Sequence, residues 1–170
     1  MTTKKILING QWVNGEDRIV EIRSPHNNEL IANVSHASKS QMEEALETAS
    51  SSFKIVKDLP AHLISNALLT IRDFIQDNSD RFTKALAIEA GKPIKIARVE
   101  VDRALHTFET ASGEAVRLYG ETFPVDQKPW GENRFAMVHR FPLGVVSAIT
   151  PFNFPLNLVA HKIAPAIASK

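Results

Sequence analysis

The sequence contains no cysteine. That excludes disulfides, thiolate metal sites and any mechanism in which this chain supplies its own thiol nucleophile. It also lacks an excess of either charge, with 20 Lys plus Arg against 19 Asp plus Glu and a formal net charge of +1. No broad positive field exists to hold a nucleic acid or an anionic membrane, so the expected partners are small molecules or protein. The apolar runs are short and interrupted, and Met1-Thr-Thr-Lys-Lys5 does not lead into an apolar stretch with a cleavage site. Neither a membrane span nor a secretory leader is expected, which points to a soluble cytoplasmic protein. No two of the six histidines stand one helical turn apart, and no metal is expected. No Gly-x-Gly-x-x-Gly turn is present, which argues against a self-contained dinucleotide-binding module.

What is present is 44% apolar residues over 170 positions, enough for one globular domain or one domain and the beginning of another. Two short apolar runs flank Asn9-Gly10, a dipeptide that accepts the positive φ angles of a tight hairpin turn. Further short strands are expected at Val20 to Arg23 and Leu30 to Val34, making a small antiparallel region. Ser40 and Glu43 have capping-box spacing and predict a helix to about Phe53. A second helix follows Pro60, with Leu63, Ala67, Ile71, Phe74 and Ile75 as its stripe. A third carries Phe82, Ala85, Leu86 and Ile88 and closes at Gly91.

From Pro93 a long helical period runs through Ile94, Ala97, Val101, Leu105, Phe108, Ala111 and Ala115 towards Gly120. Lys95, Arg98, Glu100, Asp102, Arg103, Glu109 and Glu114 read as its solvated face. Pro124, Pro129 and Gly131 mark an exposed connection, and Phe135 to Arg140 is strand-like. Gly144 to Ile149 has the near-continuous apolar pattern of a strand covered on both faces in a parallel sheet. A loop, Thr150 to Pro155, then leads into a helical stripe at Leu156, Val159, Ala160, Ile163, Ala164 and Ile167. A parallel strand needs a neighbour reached through a crossover, and the sequence ends inside the crossover helix, as expected of an amino-terminal portion of a longer protein.

In open parallel sheets ligands bind beyond the carboxyl ends of strands, which is where Thr150 to Pro155 falls. Two prolines fix this loop, and between them Asn153 offers a neutral carboxamide. Such a group suits an oxyanion hole, because it stabilises developing charge without reorganising. The plain alternative is a helix cap, for which Asn is equally suited.

Pro142-Leu-Gly-Val-Val-Ser-Ala-Ile-Thr-Pro-Phe-Asn-Phe-Pro155, with Ile163-Ala-Pro-Ala-Ile167 after it, resembles the signature strand, loop and helix of the NAD(P)-dependent aldehyde dehydrogenase superfamily. Ile8-Asn-Gly-Gln-Trp-Val13, Glu89-Ala-Gly-Lys-Pro93 and Tyr119-Gly-Glu-Thr-Phe-Pro124 resemble the same family in the same order, so the similarity covers essentially the whole chain. Within it, Glu89-Ala-Gly-Lys-Pro-Ile-Lys95 and Phe152-Asn-Phe-Pro-Leu-Asn-Leu158 look closest to the lactaldehyde and non-phosphorylating glyceraldehyde-3-phosphate branch.

The resemblance implies an α/β chain: the amino-terminal part of an aldehyde dehydrogenase fold, with small antiparallel hairpins, several helices, an oligomerisation strand and the first strand, loop and helix of a parallel cofactor-binding sheet. It implies three divisions: 1–120 as the amino-terminal part of a cofactor-binding domain, 121–141 as an oligomerisation hairpin and connection, and 142–170 as the opening of the parallel sheet. Asn153 would be catalytic, holding the thiohemiacetal oxygen while hydride leaves for NAD or NADP. Ile149, Thr150, Pro151 and Phe152 would line the cofactor, with Ile149 or Phe152 as plain core residues the alternative. Arg103, Asn153 and Phe154 would meet an aldehyde substrate, although Arg103 is also readable as a solvated arginine. A homo-oligomer formed through 121–141 is implied. The family's cysteine, glutamate base, cofactor lysine and glycine-rich turn find no match in these residues, so the 170-residue chain alone is expected to be inactive. Lys170, alone at the end, reads as structural or terminal. The contrasting expectation is a non-catalytic piece that associates through an exposed sheet edge.

Overall fold

The computed structural model describes residues 3–170. At its start, strands β1 (Thr3–Lys4), β2 (Ile6–Ile8) and β3 (Gln11–Val13) follow one another closely. Asn9 and Gly10 take φ of 50° and 73°, and β2 pairs antiparallel with β3 with Ile8 opposite Gln11, which is the two-residue hairpin that the dipeptide favours. Strands β4 (Ile19–Arg23) and β5 (Leu30–Ser35) form a second antiparallel pair. β1 joins β5 in parallel, so this region is mixed rather than wholly antiparallel. β1 and β5 are far apart in sequence, and only the docking of the chain start makes them neighbours.

Helix α1 spans Lys39–Val56 and is capped by Ser38, not by the expected Ser40. Gln41 decides the difference. Its Oε1 accepts from the amides of Ser38 (3.1 Å) and Glu16 (3.0 Å), while its Nε2 donates to the Asn14 carbonyl at 2.8 Å. The capping side chain therefore also ties the residues after β3 to the helix, which a Ser40 and Glu43 pair on the solvent side could not do.

Helices α2 (Ala61–Asp77), α3 (Ser79–Ala90), α4 (Ile94–Ala115) and α5 (Asn157–Ser169) share one core. On α2 the buried row is Ile64, Leu68 and Ile75, so the expected stripe is turned by about one residue and Leu63 and Phe74 are exposed. Facing rows of alanine, Ala97, Ala104, Ala111 and Ala115 on α4 and Ala160, Ala164 and Ala168 on α5, are buried. Small side chains let these two helices pack closely. Gly91 closes α3 at φ 62°, and an added Cβ would stand 2.8 Å from the Pro25 ring.

α4 ends at Ala115, short of Gly120, and the expected connection is partly a hairpin, with β6 (Glu121–Pro124) antiparallel to β7 (Phe135–Val138). Gly144 to Ile149 pairs with no strand among the described residues, and Val145, Val146 and Ile149 are exposed. The expected strand is not formed because a strand exists only by sharing its backbone hydrogen bonds, and a parallel neighbour is not among these residues. The mixed α/β architecture otherwise follows the expectation. No helix of the described residues is long and apolar enough to cross a membrane.

Leu68 is fully buried, whereas Leu63, five residues earlier and on another face of α2, is exposed. Leu68→Ala is expected to lower the free energy of unfolding by about 2–5 kcal/mol through the cavity it leaves. Leu63→Ala should change it by under about 0.5 kcal/mol. Urea titration followed by far-ultraviolet circular dichroism measures both.

Candidate functional site

The start of α5 requires an explanation, because its first amides have no carbonyl one turn back. Leu156 occupies the cap position and offers no side-chain acceptor. The acceptor comes from another helix. Oε1 of Glu100, on α4, receives the amides of Leu156 at 2.9 Å and Asn157 at 3.2 Å. An anion at this end also meets the positive end of the helix dipole.

Glu100 is fully buried, which corrects its assignment to the solvated face of α4. A visible sign lay in the spacing: Ala97, Glu100, Ala104, Phe108, Ala111 and Ala115 recur at three or four residues, so Glu100 stands in the apolar row itself. A buried carboxylate is costly unless paired and hydrogen-bonded. Here Lys92 supplies the charge through its Nζ on Oε2 of Glu100. Lys92 follows the Gly91 turn, so the conformation that ends α3 also delivers the cation.

The same Nζ stands 3.9 Å from the centroid of the Phe154 ring, within cation–π range. Phe154 is half-buried and its carbonyl accepts from Leu158 N at 2.9 Å. The turn from Thr150 to Pro155 is therefore fastened at its carboxyl side to α4 and to the α3–α4 connection.

Before that anchor the turn is open. Among the described residues Ile149, Thr150, Pro151, Phe152 and Asn153 are all exposed, with Ile149 at 85% and Phe152 at 90%. The amides opening α5 go to Glu100 and leave Asn153 out of the cap. Arg103 is exposed on α4 and lines a cleft of about 430 Å³ together with Val99, Asp102, His106, Thr107, Asn157 and His161. Asn157 is only 7% exposed, and its buried Oδ1 has no hydrogen-bond partner among the described residues. Arg103 is thus brought to the start of α5, beside side chains that the sequence reading did not single out. Asn157 and His161 are one turn apart and so share a face of α5, but nothing in the sequence alone says which face meets Arg103. Phe154 does not line this cleft; it packs against Lys92 instead. Among the described residues no group of three His, Asp or Glu could hold a metal ion.

Residues 12–169 match the sequence profile of the aldehyde dehydrogenase family. A lactaldehyde dehydrogenase of Methanocaldococcus jannaschii is 42% identical over 96% of this chain and 34% of its own length. The NADP-dependent glyceraldehyde-3-phosphate dehydrogenase of Bacillus halodurans, solved with NADP, superposes with a TM-score of 0.92 at 34% identity, over 99% of this chain and 36% of that one. The glyceraldehyde-3-phosphate dehydrogenase GapN of M. jannaschii, also solved with NADP, gives 0.83 at 41% identity over 92% and 33%. The chain spans about a third of the length of the curated relatives it matches.

Removing the cation tests the buried pair. Lys92→Met leaves Glu100 buried without a counter-charge and should cost about 3–5 kcal/mol of stability. Adding Glu100→Gln to that variant should recover part of the loss, since the uncompensated charge is then gone. Thermal unfolding of the three proteins gives the comparison.

Proposed function

Because the chain belongs to the aldehyde dehydrogenase family, we propose that it forms part of an enzyme that oxidises an aldehyde to a carboxylic acid with NAD or NADP, and that Asn153 is its oxyanion donor. The supporting observation is the turn at 150–155: anchored behind Asn153 by Glu100 and Lys92, and open at Asn153 itself.

Oxidising an aldehyde removes hydride from the carbon that bears oxygen, so a nucleophile must add first and convert the carbonyl to C–O⁻. The family's nucleophile is a thiolate, and residues 1–170 contain no cysteine. This chain's part is to serve the oxygen. A carboxamide donor held on a proline-bracketed turn stabilises that charge as it forms, with no reorganisation to undergo at the moment of reaction. The C–O⁻ electron pair then re-forms the carbonyl as hydride departs, and water releases the acid from the thioester. NAD or NADP supplies the hydride acceptor. The exposed apolar surface of Ile149 and Phe152, with the backbone of Thr150 and Pro151, suits the face of a nicotinamide ribose.

The cleft beside Arg103 would receive the rest of the substrate. His106, Thr107 and His161 line it with groups that can hydrogen-bond a hydroxyl, which favours a short hydroxylated aldehyde. The names of the lactaldehyde and glyceraldehyde-3-phosphate relatives agree with that class. Arg103 would meet an anionic end, and Phe154 would support the substrate only indirectly through the turn. We assign residues 121–141, the β6–β7 hairpin, to contact between subunits of a homo-oligomer, and place the enzyme in the cytoplasm.

A second reading is supported by Phe141, Leu143, Ile149 and Phe152, which are 80–91% exposed: expressed alone, these residues self-associate through this segment. Sedimentation across a concentration series reads that directly.

Asn153→Ala in the protein expressed from the complete reading frame should lower kcat by about 10²–10³-fold, or about 2.7–4 kcal/mol in the barrier. Unchanged turnover would remove the assignment. Residues 1–170 by themselves should oxidise no aldehyde, as monitored by nicotinamide absorbance, and any such turnover would refute the role given to this chain.

A further inference from the structure

We infer that Glu100, held by Lys92, is a positioning residue that keeps the Asn153 carboxamide free for the reaction. This rests on the reading of Asn153 as the oxyanion donor. Asn is among the best helix caps, and a cap accepts from the amide two or three residues ahead. Two ahead of Asn153 is Pro155, which has no N–H. Three ahead is Leu156. Its amide is the one that Glu100 Oε1 takes at 2.9 Å, with Asn157 N as second donor at 3.2 Å.

Glu100 therefore fills the place in which Asn153 would otherwise fold back onto its own helix. A carboxylate competes better than a carboxamide for this amide, because the bond is charge-assisted and the helix dipole adds to it. Lys92 fixes the outcome twice. It pairs with the other oxygen of Glu100, and it lies over the ring of Phe154, the residue next to Asn153. Glu100 and Lys92 are thus placed to govern the reaction without touching the reacting atoms.

The experiment is a mutant cycle in the protein expressed from the complete reading frame. Glu100→Gln should lower kcat by about ten- to a hundred-fold, the value of a hydrogen bond to a charged group, and leave the KM for the nicotinamide nucleotide unchanged. In the Asn153→Ala background the same substitution should have no further effect on kcat. An equal fold-loss in both backgrounds, or no loss in either, overturns the positioning role while leaving Asn153 itself in place. Unchanged kcat for Asn153→Ala alone sinks the underlying reading instead, and the positioning role with it. Should Glu100→Gln not fold, the double variant Lys92→Met with Glu100→Gln, which buries no uncompensated charge, enters the same cycle with the same expectations. Independently of activity, amide hydrogen exchange at Leu156 and Asn157 should accelerate about ten- to a hundred-fold in the Glu100→Gln variant, with α2 unaffected. Exchange at those two amides that matches the unsubstituted protein overturns the proposal.

Discussion

One buried carboxylate joins the parts of this chain that matter to its chemistry. Glu100 lies in the apolar row of α4, accepts the amides that open α5, and is neutralised by a lysine from the turn that closes α3. The turn before α4, α4 itself and the distant α5 meet at one side chain. Each of them alone would leave an unsatisfied group: a buried anion, bare helix amides, and a half-buried ammonium with only Phe154 beneath it. Together they satisfy one another, and the turn bearing Asn153 inherits a fixed base.

Such a pair adds little net stability compared with a well-packed apolar replacement, because desolvating both ions is costly. What it adds is geometry. The alanine rows of α4 and α5 set how close the helices come, and the carboxylate sets their register by requiring Leu156 and Asn157 to stand beside Glu100. An apolar contact tolerates sliding; a charge-assisted bond to two particular amides does not. The same logic appears at the other end of the chain, where Gln41 joins residues 14–16 to the cap of α1.

The open side of the turn contrasts with its anchored side. Ile149, Phe152 and Asn153 are exposed, while Phe154, Pro155 and Leu156 are half-buried. A loop that is rigid behind and uncovered in front can present a donor to a ligand while excluding alternative conformations of its own. The neighbouring cleft is lined by Arg103, exposed on α4, and by Asn157, buried at the start of α5.

By itself the sequence determined the local elements and the family. Helical periods, the Asn9-Gly10 turn and the stop at Gly91 are written in neighbouring residues, and physical propensities at that range are read without knowing the fold. The family resemblance carried by Pro142 to Pro155 and the earlier motifs agrees with the family's sequence profile, which matches residues 12–169. Tertiary structure decided the rest, choosing between local patterns that the sequence offered side by side. Glu100 resembled a solvated charge because its amide partners lie more than fifty residues away. The cap of α1 moved to Ser38 because Gln41 also bonds residues 14 and 16. The apolar run at 144–149 had the composition of a strand, yet strand character is a property of paired backbones, and among the described residues it has no partner.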